Sequence, residues 1–315
     1  MKLLVTGGAG FIGSHVCDAF LADGHDVVAL DSLEGHYDPE TKLCNLASAR
    51  DYTSFQFVKG DVRDSTCLSE LPSVDAVVHL AARSGVRPSL REPWPYIDVN
   101  VNGTQKVLHW TRTRSVPRLI FASSSSVYGN NSNQASAETD SVEQPLSPYA
   151  ETKRLGETMM EAETGTRGLG VACLRIFSAY GPRQRPDLAL HKFARLLCNG
   201  DQLPLFGDGS SGRDYTFIDD VVDSVRCALD WTEKGTFDVF NVGAGKTVLL
   251  RELIDSLGRE MGLLPMVKRL QPHAADVHST RADLTHSHAV LGYRPKTHFP
   301  EGLSRFMAWF RKATS

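Results

Sequence analysis

Short apolar runs rich in Val, Leu and Ile recur at 3–6, 27–30, 55–58, 76–80, 118–122 and 171–175. Amphipathic stretches separate them and predict helices over 12–23, 96–114, 148–164 and 189–199, the third opening on the helix-start pair Ser147 and Pro148. Strand-sized and helix-sized patterns in alternation predict an α/β fold, a doubly wound (Rossmann) parallel sheet with crossover helices. Past Arg175 the punctuation changes: Gly181 with Pro182, Arg185 with Pro186, and Gly207 to Gly209 mark loops around a helix and a short strand at 203–206. A strand over 238–242 is expected back in the main sheet, and helices near 249–261 and 301–312 close a smaller C-terminal lobe. The expected division is 1–175 plus about 214–243 for the main domain, and about 176–213 plus 244–315 for the second lobe.

The first strand runs straight into Gly7, Gly8, Ala9, Gly10, Phe11, Ile12 and Gly13, then into a helix. Glycine is required there because the turn is tight and a side chain would keep a pyrophosphate from the free N–H groups of the helix N-terminus. The second strand ends in Asp31, placed to accept hydrogen bonds from an adenosine ribose and to repel a 2′-phosphate, which favours NAD over NADP. Asp61 and Val62, in the Gly-Asp-Val turn after the third strand, are candidate adenine contacts. Tyr149 and Lys153 stand at i and i+4 of one predicted helix, on one face and within mutual reach. An ammonium beside a phenol stabilises the phenolate, bringing its pKa toward the range of a general base. The strand over 118–122 ends in Ser123 to Ser126, hydroxyls at the carboxyl edge of the sheet where doubly wound folds bind ligands.

The formal charge is −3, without a Lys/Arg block, which argues against a nucleic-acid surface. The 6 cysteines lie far apart with no Cys-x-x-Cys spacing and the 11 histidines lack ligand partners at helical spacing, so neither a disulfide framework nor a metal site is expected. His286 and His288 read as solvated. No signal-peptide arrangement or membrane-length apolar run is present, so the expected location is the cytosol.

The motifs together resemble the extended short-chain dehydrogenase/reductase family, in its nucleotide-sugar epimerase and dehydratase branch. The resemblance runs through residues 7–13, HLAA at 79–82, NVNGT at 100–104, SSSVYG at 124–129, YAETK at 149–153 and RDYTFIDD at 213–220. It implies tightly held NAD, contacted also by Leu80, Ala81, Ala82 and Asn100, with Ser124 as the catalytic hydroxyl beside Tyr149 and Lys153. Dehydratases of the branch carry Thr-Asp-Glu where this chain has Ser124, Ser125 and Ser126, and the related decarboxylases carry Glu at the last position, so both activities are disfavoured.

Pro204, Phe206 and Arg213 resemble the family's uracil-stacking strand and its phosphate or ribose arginine, which implies a UDP-sugar. AARSGVR at 81–87, FSAYGP at 177–182, and RPDLA at 185–189 with Lys192 and Phe193 resemble the UDP-glucuronate 4-epimerases, as do Tyr37, Asp38 and Lys42. On that resemblance Arg185, with hydroxyls of Ser178 and Ser125 or Ser126, holds a sugar carboxylate, and Arg87 meets the diphosphate or the carboxylate. Arg83 stands where those epimerases often have Gln, and residues 273–276, ending in the candidate uridine contact Asp276, depart from their Pro-Gly-Asp run. Two alternatives remain open: a 4-epimerase of UDP-glucose or UDP-N-acetylglucosamine, and a non-catalytic NAD-binding sensor. The helices near 96–114 and 148–164 resemble the pair that forms a four-helix homodimer interface in the family.

Overall fold

The computed structural model describes residues 1–130, 134–271 and 277–314. Strands β1 (Lys2–Thr6), β2 (Asp26–Asp31), β3 (Phe55–Lys59), β4 (Ala76–His79), β5 (Arg118–Ser124) and β6 (Gly170–Ile176) lie within two residues of the positions expected from the apolar runs. After them come β7 (Ser178–Tyr180), β8 (Leu203–Phe206), β9 (Gly212–Phe217), β10 (Phe237–Val242), β11 (Thr247–Leu249) and β12 (Val267–Leu270). The central sheet has seven strands in the order β10-β6-β5-β4-β1-β2-β3, and every pair in it is parallel. Strand order reverses between β1 and β4, the place where a doubly wound sheet opens a crevice at its carboxyl edge.

Strand side chains alternate between two cores. Leu3 and Val5 join Ile120, Ala172 and Leu174 on one face, with Val16 and Phe20 of the helix Phe11–Ala22 packed on them. Leu4 joins Leu119, Phe121, Val171 and Cys173 on the other, beneath Val107, Leu108 and Met160. The continuous apolar runs are needed because both faces are covered.

The helix predicted over 96–114 is built as Trp94–Ile97, a wider π turn over Asp98–Gly103, and Thr104–Thr113. One long element was unforeseen. Ile218–Trp231 is a helix whose Ile218, Val221, Val222, Val225 and Leu229 recur at helical spacing and bury against the first core. The chain after β6 also forms a three-stranded sheet, β11-β9-β7, and a two-stranded one, β12-β8. His286, expected in solvent, instead sets Nε2 2.8 Å from Asp238 Oδ2 and stacks on Phe240 at 5.3 Å, because the helix Thr285–Leu291 lies against β10. Among the described residues no helix is long and apolar enough to cross a membrane.

Candidate active site

A cleft of about 830 Å³ opens over the switch point. Its floor begins at the glycine turn: Gly7 N and Gly8 N both donate to Leu30 O, which folds the turn over the end of β2. Gly7 has φ +70°, and a Cβ there would come 2.8 Å from Ala81 N. A Cβ on Gly13 would come 2.1 Å from Gly7 O, so the space is needed by backbone alone. The helix Phe11–Ala22 starts at Gly10 with no side-chain cap and no acidic residue in its first turn, leaving its N-terminal N–H groups for an anion. Gly7, Gly10, Phe11, Ile12 and Gly13 all line the cleft.

Asp31 lines it too and is fixed by two backbone donors, Ala9 N at 3.2 Å and Leu33 N at 2.8 Å, with Lys42 Nζ at 3.6 Å. Its carboxylate is thereby held at one end of the cradle, facing the space a ribose diol would take. The cradle, the capless helix start and the fixed acid fit a dinucleotide.

Asp61, Val62, Leu80, Ala81 and Ala82 extend the wall. The Asp61 carboxylate is gripped by Arg63 through Nε at 3.0 Å and Nη2 at 2.6 Å, and this pairing holds its pKa below the usual range. Asn100 stands behind the wall, 2% exposed, accepting from Arg83 N at 2.7 Å and donating to Arg83 O and Thr152 Oγ1, both at 2.9 Å. Its contribution is to hold the 81–84 segment against the helix Pro148–Arg167, and the π turn turns it that way.

At the other end of the cleft β5 runs out into Ser124, Ser125 and Ser126, facing Tyr149. The helix that carries Tyr149 opens on a Ser147 cap to Ala150 N at 3.2 Å. Burial raises the Tyr149 pKa, opposed by a hydrogen bond with Ser124 and by the charge of Arg185. Lys153 is engaged elsewhere. Its Nζ donates to Ala122 O at 2.7 Å and lies 5.1 Å from the Phe121 ring, and burial pulls its pKa down to about 8. Tyr149 and Lys153 thus stand one turn apart on the same helix and line the same cleft, and Arg185 adds a second cation that acts on the phenol. Glu157 opposes the loss of the Lys153 proton from one turn further along. Glu157 is itself locked to Arg175 at 2.8–2.9 Å and to Ser123, behind the site.

Three loops meet over this end. Glu34 pairs with Arg83, Ser84 accepts from Arg185 Nη1, and Asp187 lies by His36, so the 32–37, 83–84 and 185–187 segments are joined pairwise around the cleft. Glu34, His36, Ser84 and Asp187 were not singled out from the sequence; Asp187 is two residues beyond Arg185, the one local signal available.

The family model described as "NAD dependent epimerase/dehydratase family" matches residues 3–243. The chain belongs to that family. A UDP-glucuronate 4-epimerase of Thermodesulfobacterium geofontis is 34% identical over 98% of this chain and 96% of its own length. The crystal structure of UDP-glucuronic acid 4-epimerase from Bacillus cereus, in complex with UDP-glucuronic acid and NAD, superposes with a TM-score of 0.93 at 33% identity, covering 99% of this chain and all of that one. DesIV, a dTDP-glucose 4,6-dehydratase from Streptomyces venezuelae solved with NAD and TYD bound, gives a TM-score of 0.92 at 33% identity over 99% of this chain and 97% of its own. Fold alone therefore does not separate epimerase from dehydratase, and the side chains must.

Within this epimerase/dehydratase fold the remaining expected contacts are distributed unevenly. Arg87, Ser178, Arg185 and Arg213 line the cleft. Pro204 and Phe206 share the partly exposed side of β8, and the Arg87 guanidinium lies 4.5 Å over the Phe206 ring, so the face expected to stack a base carries a cation here. Asp276 lies outside the described residues.

Proposed function

We propose that this protein is an NAD-dependent UDP-sugar 4-epimerase acting on UDP-glucuronate to give UDP-galacturonate. The observation that carries the reading is a base beside a guanidinium in a site whose neighbouring positions are serines. Tyr149, Ser124, Ser125, Ser126 and Arg185 line one cleft, and none of the three serine positions offers the carboxyl group that elimination across C5 and C6 requires. NAD, when bound on Gly7, Gly10, Gly13 and Asp31, supplies the acceptor and donor of hydride at C4′. Ser124 hydrogen-bonds the 4′-oxygen, and Tyr149 takes its proton as the carbonyl forms. Arg185 receives the C5 carboxylate with Ser178 and Ser125 or Ser126, turning the C5–carboxyl bond away from the carbonyl π system, the alignment in which a β-keto acid loses CO₂. Tyr149 returns the proton once C4′ has inverted. Diphosphate contacts by Arg87 and Arg213 stay fixed while sugar contacts exchange, so binding energy is placed away from the reacting carbon.

Arg185→Ala tests the sugar assignment. Loss of a charge-assisted paired contact is expected to weaken binding of UDP-glucuronate by about 10–100-fold and to leave UDP-glucose binding nearly unchanged in a side-by-side titration. Equal losses for both sugars would refute the carboxylate contact.

The reading includes a cytosolic homodimer. Its support is an apolar surface on packed neighbours: Leu90, Trp94 and Ile97 next to Leu155 of the helix Pro148–Arg167 are 36–74% exposed. Light scattering on the purified protein should give about twice the 34.6 kDa chain mass; a monomer at micromolar concentration would remove the dimer.

A further inference from the structure

Arg185 stands in the cleft with a carboxylate already on it. Asp187 takes one edge of the guanidinium, Oδ1 accepting from Nε at 3.0 Å and Oδ2 from Nη2 at 2.7 Å, while Nη1 donates to Ser84. A paired contact of this kind is how a guanidinium recognises any carboxylate. The two partners differ in freedom: 17% of the Arg185 side chain is exposed against 42% of Asp187, so Asp187 is the one with room to leave. Where it would go is also visible. His36 Nε2 lies 3.7 Å from Asp187 Oδ2, beyond hydrogen-bond reach, and is a buried nitrogen without a hydrogen bond. Tyr37 Oη, in the same wall, is buried and unbonded as well. Burial pushes the Asp187 carboxyl upward, but His36 and Arg185 outweigh it and hold it below its usual range, so Asp187 is an anion at neutral pH.

We propose that Asp187 is a built-in competitor for the acid site, occupying Arg185 when the cleft holds no acidic sugar and moving to His36 when a substrate carboxylate takes the guanidinium. This rests on Arg185 receiving the sugar carboxylate. Two anions beside one cation repel, so the substrate acid binds against the work of displacing Asp187. Such a competitor keeps an acidic product from staying on Arg185, and it denies the bare guanidinium to other anions.

The consequence runs opposite to the usual loss on removing a cleft charge. Asp187→Asn keeps the shape and one acceptor oxygen but removes the rival charge. Binding to the NAD-loaded enzyme, measured by calorimetry with UDP-glucuronate, UDP-glucose and UDP, is expected to tighten about 5–20-fold for UDP-glucuronate alone. His36→Phe keeps a ring and removes the nitrogen that receives Asp187, so UDP-glucuronate is expected to bind severalfold more weakly, with UDP-glucose and UDP unchanged. In the double variant the effect of His36→Phe disappears, because it acts only through Asp187.

Unchanged or weaker UDP-glucuronate binding in Asp187→Asn, with UDP binding intact, overturns the proposal. If Asp187→Asn fails to bind UDP, His36→Phe decides alone, and wild-type affinity for UDP-glucuronate in that variant overturns it. Failure of the underlying reading has its own signature: Arg185→Ala would weaken both sugars alike in the same titration, and both conclusions would fall together.

Discussion

Tyr149→Phe is expected to lower kcat by about 10²–10⁴-fold, the range removed with a general acid–base, corresponding to about 3–5 kcal/mol of transition-state stabilisation. The variant should leave the fold and KM nearly intact. The Tyr149 ring packs edge-on to Tyr96 at 6.2 Å, a contact Phe retains, and the hydroxyl that is lost meets Ser124. Because burial raises the phenol while Arg185 and Ser124 oppose it, activity of the wild type rises with pH as Tyr149 gives up its proton. The residual turnover of Tyr149→Phe should lack the rising limb. A variant retaining more than a tenth of wild-type kcat, with the limb unchanged, would remove Tyr149 as the base.

Gly13→Ala is expected to abolish cofactor retention. Its Cβ would lie 2.1 Å from Gly7 O, 2.8 Å from Gly8 Cα and 2.9 Å from Gly7 C, all backbone, so no side chain can yield to it. The turn must open or the helix Phe11–Ala22 must withdraw, and either displaces the N–H groups that meet the pyrophosphate. Overpacking of this sort costs about 1–3 kcal/mol in stability, and the larger effect falls on binding. The purified variant should carry less than a tenth of the NAD of the wild type by absorbance after denaturation. Full occupancy would mean that the glycine turn is not the cofactor cradle.

The sheet was legible because its strands are buried on both faces and therefore read as unbroken apolar runs; β1 through β6 could be placed from them. The Tyr149 and Lys153 pair and the glycine turn were legible because their chemistry depends on spacing along one element. What could not be read depends on loops that meet only in three dimensions. Asp187 on Arg185, Glu34 on Arg83 and Arg87 on Phe206 are contacts between segments 49 to 119 residues apart, or within a loop whose conformation no periodicity sets. Lys153 was correctly placed on the Tyr149 face, yet the identity of its partner, Ala122 O, is a matter of where β5 ends. The helix Ile218–Trp231 carried a readable pattern, but its run of Val221 and Val222 is as compatible with a strand.

The central claim is inversion at C4′ by direct removal and return of the same hydrogen, with Tyr149 moving only the hydroxyl proton. Incubation of the NAD-loaded enzyme with UDP-glucuronate in D₂O, followed by proton NMR, tests it most directly. The account predicts UDP-galacturonate in equilibrium with substrate, protium retained at C4′ and no release of CO₂. Deuterium at C4′, or a 4-keto pentose in place of UDP-galacturonate, would contradict it.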